Sequence, residues 1–274
     1  MTNPYLDLTV AFNDGRRRAL VSSGQAVVLH RLAITSKDGD WVLREDEDAV
    51  RHVLQVLAGR GARYRFGAPL DLRWLAGGWS AHLEHQGEGL RVRTDFVTRP
   101  PRVSDAELHR LWRDADAAGL DVAPAVPVIP LGTLARIKMS LREKDYPIIG
   151  ELARRMDAPR AALRYSRSSR DLLGLAADHP DLVRELQSER PVLGAIASGR
   201  VALETALDRE RRELIRADEA RMAGYRTAAE RWASAWPAVS SEIAGLPLPD
   251  AHRIVVARAE GLLPVGPSDG GHNA

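Results

Sequence analysis

Residues 20–43 read LVSSGQAVVLHRLAITSKDGDWVL. A short apolar run closes on Ser22, Ser23 and Gly24, and a segment of helical periodicity begins at once. The pattern predicts a buried strand over residues 18–22 and a helix over residues 24–32, with Ser22 or Ser23 as its N-cap. Glycine lets a backbone approach a ligand closely, and a helix start presents free N–H groups that suit an anion such as a phosphate. Fourteen residues beyond Gly24 come Asp38 and Asp40, at the start of a strand-like run, residues 41–44. An i, i+2 pair on a strand points to one face. Two carboxylates side by side repel unless a cation lies between them. Hard oxygen ligands of this kind suit Mg²⁺, which also takes oxygens from bound phosphate. A third acid, Asp95, lies on a strand over residues 90–98, where it could reach the same cation or draw a proton from a hydroxyl. The plainer alternatives are a Lys-Asp-Gly-Asp surface turn for the pair and an ion pair with Arg93 or Arg99 for Asp95.

Outward from this stretch, the first half mixes strands and helices. Helices are expected over residues 5–12, 46–57 and 105–116, the last capped by Ser104. A strand is expected over residues 63–66, and residues 82–85 and 90–98 flank Gly87-Glu88-Gly89 as a hairpin. A proline-rich stretch, residues 124–130, holds one short strand, and helices follow over residues 131–141 and from Asp145. From about Glu151 only helical periodicity remains: residues 159–165, 169–177, 181–189, 193–219 with a break at Gly199, and 220–236. The expectation is an α+β fold, a mixed sheet flanked by helices over residues 1–156, then an all-helical domain over residues 157–265. The tail, residues 266–274 (GPSDGGHNA), has the composition of a disordered end.

The chain has 274 residues, no cysteine, and 39 basic against 37 acidic side chains. The near-neutral balance argues against a protein built to coat nucleic acid or anionic membrane. Without cysteine there is no disulfide, zinc–thiolate site or cysteine nucleophile. No apolar run approaches the roughly 20 residues of a membrane span, and no signal peptide is visible, so a cytoplasmic protein is expected. Only three residues are lysine: Lys37, Lys138 and Lys144. His82 and His85 fall on opposite faces of their strand, which disfavours a shared metal. Arg16, Arg17 and Arg18 form a solvated edge or a small patch for an acidic acceptor. Trp74, Trp79, Trp112, Trp232 and Trp236 read as packing residues.

Together, Ser23-Gly24, Ser36-Lys37-Asp38-Gly39-Asp40, Asp95, and the later Leu134-Ala135-Arg136-Ile137-Lys138 and Arg142-Glu143-Lys144-Asp145 resemble the nucleotidyltransferase superfamily. The likeness, over roughly residues 18–155, is to the minimal type that includes abortive-infection and toxin–antitoxin nucleotidyltransferases. It implies that Asp38, Asp40 and Asp95 hold Mg²⁺, that Ser23 and Gly24 cradle the phosphates of a nucleoside triphosphate, and that Lys138 and Lys144 neutralise its charge. It also implies transfer of a nucleoside monophosphate to a hydroxyl of RNA, such as tRNA, or of protein, with loss of pyrophosphate. An antitoxin-like partner is a further implication. The sequence departs from the family pattern at Ser23, where a glycine is usual, and at Gly39, where an apolar side chain is usual. A missing side chain at Gly39 loosens the strand that carries the acids. The alternative expectation is therefore a weak or inactive member that binds a nucleotide or a partner.

Overall fold

The computed structural model describes residues 3–87, 89–117 and 126–266. The protein is α+β, a five-stranded mixed sheet with flanking helices and a helical C-terminal region. The first half runs α1 (Pro4–Phe12), β1 (Ala19–Ser22), α2 (Ser23–Leu29), β2 (Asp38–Leu43), α3 (Glu47–Gly59), β3 (Arg63–Gly67), α4 (Leu72–Leu75), β4 (Ala81–Gly87), β5 (Leu90–Val97) and α5 (Asp105–Ala117). The strand order is β1-β2-β5-β4-β3. Strands β2 and β5 are parallel and the other neighbours antiparallel. Val128 lies parallel to Val21, held by Val21 N to Pro127 O at 2.8 Å and Ile129 N to Val21 O at 2.9 Å.

Local chemistry explains the first elements. Asn3 caps α1 by accepting from Tyr5 N, with Pro4 at the first helical position. Asn13 is buried at the end of α1. Its amide donates to Thr9 O and Ala19 O, while its Oδ1 accepts from Arg18 N and Ala19 N. One side chain thus sets where β1 leaves the helix. Asp46 caps α3 through Ala49 N, and Glu47 and Asp48 sit in the first turn, where the helix dipole favours acids. Arg16 and Arg18 pair with Asp46 and Asp48, so the basic run is partly neutralised.

Strand alternation sends Val21, Trp41, Phe96 and Ala81 to one sheet face. There the Trp41 and Phe96 rings stack at 5.4 Å, and Phe12 of α1 meets both edge-on, at 5.3 and 5.8 Å. The Trp41 indole donates to Thr9 Oγ1 at 2.9 Å, so its polar edge is satisfied inside the core. Burial of each such ring stabilises by about 2–3 kcal/mol. The other sheet face carries the acids.

The second half runs α6 (Leu131–Ile137), α7 (Asp145–Arg154), α8 (Pro159–Tyr165), α9 (Ser169–Asp178), α10 (Pro180–Leu186), a 3₁₀ segment (Pro191–Ser198), α11 (Arg200–Ala228), α12 (Glu230–Glu242) and α13 (Leu248–Ala259). The break at Gly199 is present, with φ at +84°. Helix α11 runs on to Ala228, so the separate helix expected over residues 220–236 is the end of α11 and the start of α12.

The chain forms two compact units, Met1–Ile129 with Ala223–Ala274, and Pro130–Met222. The division differs from the one expected at residue 156. In the first unit, the Trp232 indole donates to Gly67 O at 2.8 Å and the Trp236 indole to Arg65 O at 3.1 Å. Tyr64 Oη and His252 Nδ1 are 2.7 Å apart, and the Trp74 and Trp79 indoles donate to Leu263 O and Pro264 O. These bonds tie α12 and the segment after it to the sheet. The second unit has its own core, with Leu163, Leu172, Leu186, Leu193 and Leu203 all fully buried. Most of the expected tail, residues 267–274, lies outside the described residues. No helix among the described residues is long and apolar enough to cross a membrane.

Candidate functional site

Strand β2 begins three residues earlier than the apolar pattern suggests, so both Asp38 and Asp40 belong to it. Ser22 of β1 pairs with Asp40, Asp40 with Asp95 of β5, Asp95 with His82 of β4, and His82 with Phe66 of β3. Cross-strand partners share a face, so these five residues form one row across the sheet. The next row on that face is Asp38, Arg93, Glu84 and Arg63. The sheet therefore brings Asp38, Asp40 and Asp95 to one face, with Asp40 and Asp95 about one strand spacing, roughly 4.8 Å, apart at the backbone.

Packing accounts for the unusual residues between them. A Cβ on Gly39 would lie 2.4 Å from the Trp41 ring and 2.5 Å from the Tyr5 ring. The space an apolar side chain would fill is already taken by two aromatics, and Tyr5 Oη also donates to Lys37 O at 2.7 Å. The expectation that Gly39 loosens β2 is thereby corrected, because its neighbours pack the strand. A Cβ on Gly24 would lie 2.2 Å from Ser36 Oγ. Ser36 in turn donates to Asp38 O at 3.1 Å, and Gln25 donates to Ser36 O at 3.2 Å. The Ser-Gly pair and the Asp-Gly-Asp stretch are thus packed directly together, and Gly24 is required by that contact. Ser23 has φ at +49°, in the left-handed region that favours glycine. Helix α2, which it opens, has seven residues.

The acids differ in their surroundings. Asp38 Oδ1 is buried without a hydrogen-bond partner, and Arg93 Nη1 stands 3.6 Å from it. Burial, and next the charge of Asp38, push the Tyr5 hydroxyl above its ordinary pKa. Asp95 Oδ1 accepts from His82 Nδ1 at 2.8 Å and from Arg65 Nη1 at 3.4 Å. Among the described residues, no group of three or more His, Cys, Asp or Glu side chains is arranged to hold a metal ion. The three acids share a face as expected, but Asp95 is turned to a histidine and an arginine instead of completing a three-carboxylate cluster.

Lys138 and Lys144 belong to the second unit. Lys138 is buried, 5% exposed, with Nζ 3.4 Å from Asp145 Oδ1. Asp145 also accepts from Ser140 Oγ and pairs with Arg142. The Lys138 ammonium is engaged inside its own unit, whereas Lys144 is exposed at the start of α7.

Spacing alone did not single out His82 and Ser80. His82 and His85 do fall on opposite faces, His85 pairing with Val92. Yet His82 lies opposite Asp95, and Ser80 Oγ is 2.8 Å from its Nε2. The hairpin was expected, but with Gly87-Glu88-Gly89 as its turn the register would set His82 against Thr94. In the structure Gly87 pairs with Leu90, and that register sets His82 against Asp95.

Comparison with known proteins places no family on the chain. No family model matches, and no curated protein matches. A crystal structure of JHP933 from Helicobacter pylori aligns over 81% of this chain and 98% of its own, at 12% identity and a TM-score of 0.38.

Proposed function

We propose that the first unit is a Mg²⁺-dependent nucleotidyltransferase that moves a nucleoside monophosphate from a nucleoside triphosphate to a hydroxyl, releasing pyrophosphate. The observation that carries this reading is the pairing of Asp40 with Asp95 on parallel strands, with Asp38 two residues earlier on the same face. Mg²⁺ is commonly held by one or two carboxylates together with substrate phosphate oxygens. Asp38 and Asp40 meet that requirement, and the buried Oδ1 of Asp38, which accepts no hydrogen bond and has only the Arg93 guanidinium at 3.6 Å, is the kind of atom a cation would satisfy. When bound, the cation would neutralise triphosphate charge. Asp38 and Asp40 would hold it, the backbone at Ser23 and Gly24 would border the phosphates, and Asp95 would act with His82 on the proton of the attacking hydroxyl. Lys144 is the lysine of the helical unit with a free path to solvent. Asp38→Asn and Asp40→Asn are expected to lower Mg²⁺-dependent pyrophosphate release from ATP by at least 100-fold, with melting temperature little changed. Full activity in both variants would sink the assignment.

A second reading is a module of the same fold that binds a nucleotide or an antitoxin-like partner without turnover. The engagement of Asp95 by His82 and Arg65 favours it. Calorimetric ATP binding in the presence of Mg²⁺, with no pyrophosphate released over prolonged incubation with tRNA, would support this second reading over the first.

A further inference from the structure

Ser80, His82 and Asp95 form a hydrogen-bonded relay. Ser80 Oγ lies 2.8 Å from His82 Nε2, and His82 Nδ1 lies 2.8 Å from Asp95 Oδ1. This is the connectivity in which an imidazole takes a proton from a serine hydroxyl while a carboxylate fixes its tautomer and orientation. The imidazole is held from several sides. Phe66 stacks on it at 4.3 Å between centroids. Gly67 leaves room for its Cδ2, where a Cβ would come within 2.5 Å. Arg65 Nη1 reaches the same oxygen of Asp95. The serine is framed as firmly, because Trp79 is buried with its indole bonded to Pro264 O, and Ser80 O accepts from Ala68 N at 2.9 Å. Both protonation states of the ring are satisfied in place: neutral, Nε2 accepts from the Ser80 hydroxyl; protonated, it donates to Ser80 Oγ. Ser80 and His82 are each partly open to solvent. One imidazole separates the hydroxyl from the carboxylate of Asp95, a residue that lies opposite Asp40 in the β2–β5 register.

From this geometry we propose that Ser80 is an acceptor hydroxyl for the site, so that the chain nucleotidylates itself. The inference rests on the nucleotidyltransferase reading above and names its acceptor. In the step, a bond forms between Ser80 Oγ and the α-phosphorus of the nucleoside triphosphate. The bond from that phosphorus to the oxygen bridging to the β-phosphate breaks, and pyrophosphate leaves. The Ser80 proton passes to His82 Nε2. Asp95 holds the ring and stabilises the imidazolium.

Two probes on the full chain test the proposal. The first is ATP with Mg²⁺, read by peptide mass spectrometry for one nucleoside monophosphate on Ser80. The second is a small dialkyl phosphorofluoridate without metal, which reports the reactivity of a serine toward phosphorus. Both adducts are expected on Ser80, absent in Ser80→Ala, and formed at least tenfold more slowly in His82→Asn. Asparagine keeps a donor toward Asp95 but has no group in place of Nε2, and its melting temperature checks the fold. Pyrophosphate release from ATP with Ser80 unmodified would overturn the proposal and leave the nucleotidyltransferase reading standing. Phosphorofluoridate labelling of Ser80 with no pyrophosphate released from ATP would overturn self-nucleotidylation through failure of that reading. No Ser80 adduct from either probe would overturn the relay as well.

Discussion

At Ser23 the backbone is in a conformation that costs a side-chain-bearing residue about 1–3 kcal/mol. At Gly39 the constraint is space, since two rings occupy the volume a Cβ would need. The two positions therefore respond in opposite directions to exchange of serine, glycine and alanine. Ser23→Gly is expected to raise stability by about 0.5–1 kcal/mol, because relief of strain outweighs the entropy of the more flexible unfolded chain. Gly39→Ala is expected to lower it by about 1–3 kcal/mol through overpacking against Trp41 and Tyr5. Urea unfolding of the two variants checks both signs. A neutral Gly39→Ala would show that the Trp41 ring can shift freely. The serine and the glycine are legible as letters, but their meaning is not. The volume at Gly39 is filled from α1, thirty-four residues earlier at Tyr5, and no local spacing reports that.

Among the elements, the strands whose side chains alternate were largely legible, because that alternation is a local property of extended backbone. It placed Asp38 and Asp40 on one face before any fold was considered. The hairpin itself was legible, but its register was not: a Gly87-Glu88-Gly89 turn would set His82 against Thr94, and the observed pairing of Gly87 with Leu90 carries it to Asp95. What also could not be read was the attachment of α12 and α13, which depends on the α12 indole N–H groups meeting carbonyls more than 160 residues away and on His252 of α13 meeting the Tyr64 hydroxyl. Leu248, Ala251, Val255 and Ala259 lie buried at helical spacing, so α13 left a signal that ordinary periodicity shows. Trp232→Ala is expected to destabilise the first unit by about 3–5 kcal/mol, from lost burial and from leaving Gly67 O without its donor. A melting shift of less than a degree would show that α12 contributes little to holding the sheet.

For the molecule as a whole, burial also sets a pH dependence. Burial holds His252 and His85 below the ordinary histidine pKa, so the folded state keeps them neutral. As pH falls below about 6.5, the unfolded chain takes up protons that the folded chain refuses, and stability falls. Above that range the contribution is fully present. Melting temperature is therefore expected to drop between pH 7.5 and pH 5.5, and less so in His252→Asn. An identical slope in the variant would remove His252 from the account. The near-neutral charge, which argued against a nucleic-acid coat, is spent largely in ion pairs such as Arg63 and Arg91 with Glu84 and Arg190 with Glu210.

The amino-acid sequence by itself determined the alternation of strands and helices, the shared face of Asp38 and Asp40, and the break at Gly199. Each follows from periodicity, turn chemistry or steric freedom within a few residues. Only the tertiary structure decided that β5 lies parallel beside β2, which sets Asp95 next to Asp40. It alone turned Asp95 toward His82 and Arg65, buried Lys138 against Asp145, and returned the C-terminal helices to the first unit. Those outcomes depend on which distant surfaces exclude water together and which buried polar groups find partners, and neither is a local property of the chain.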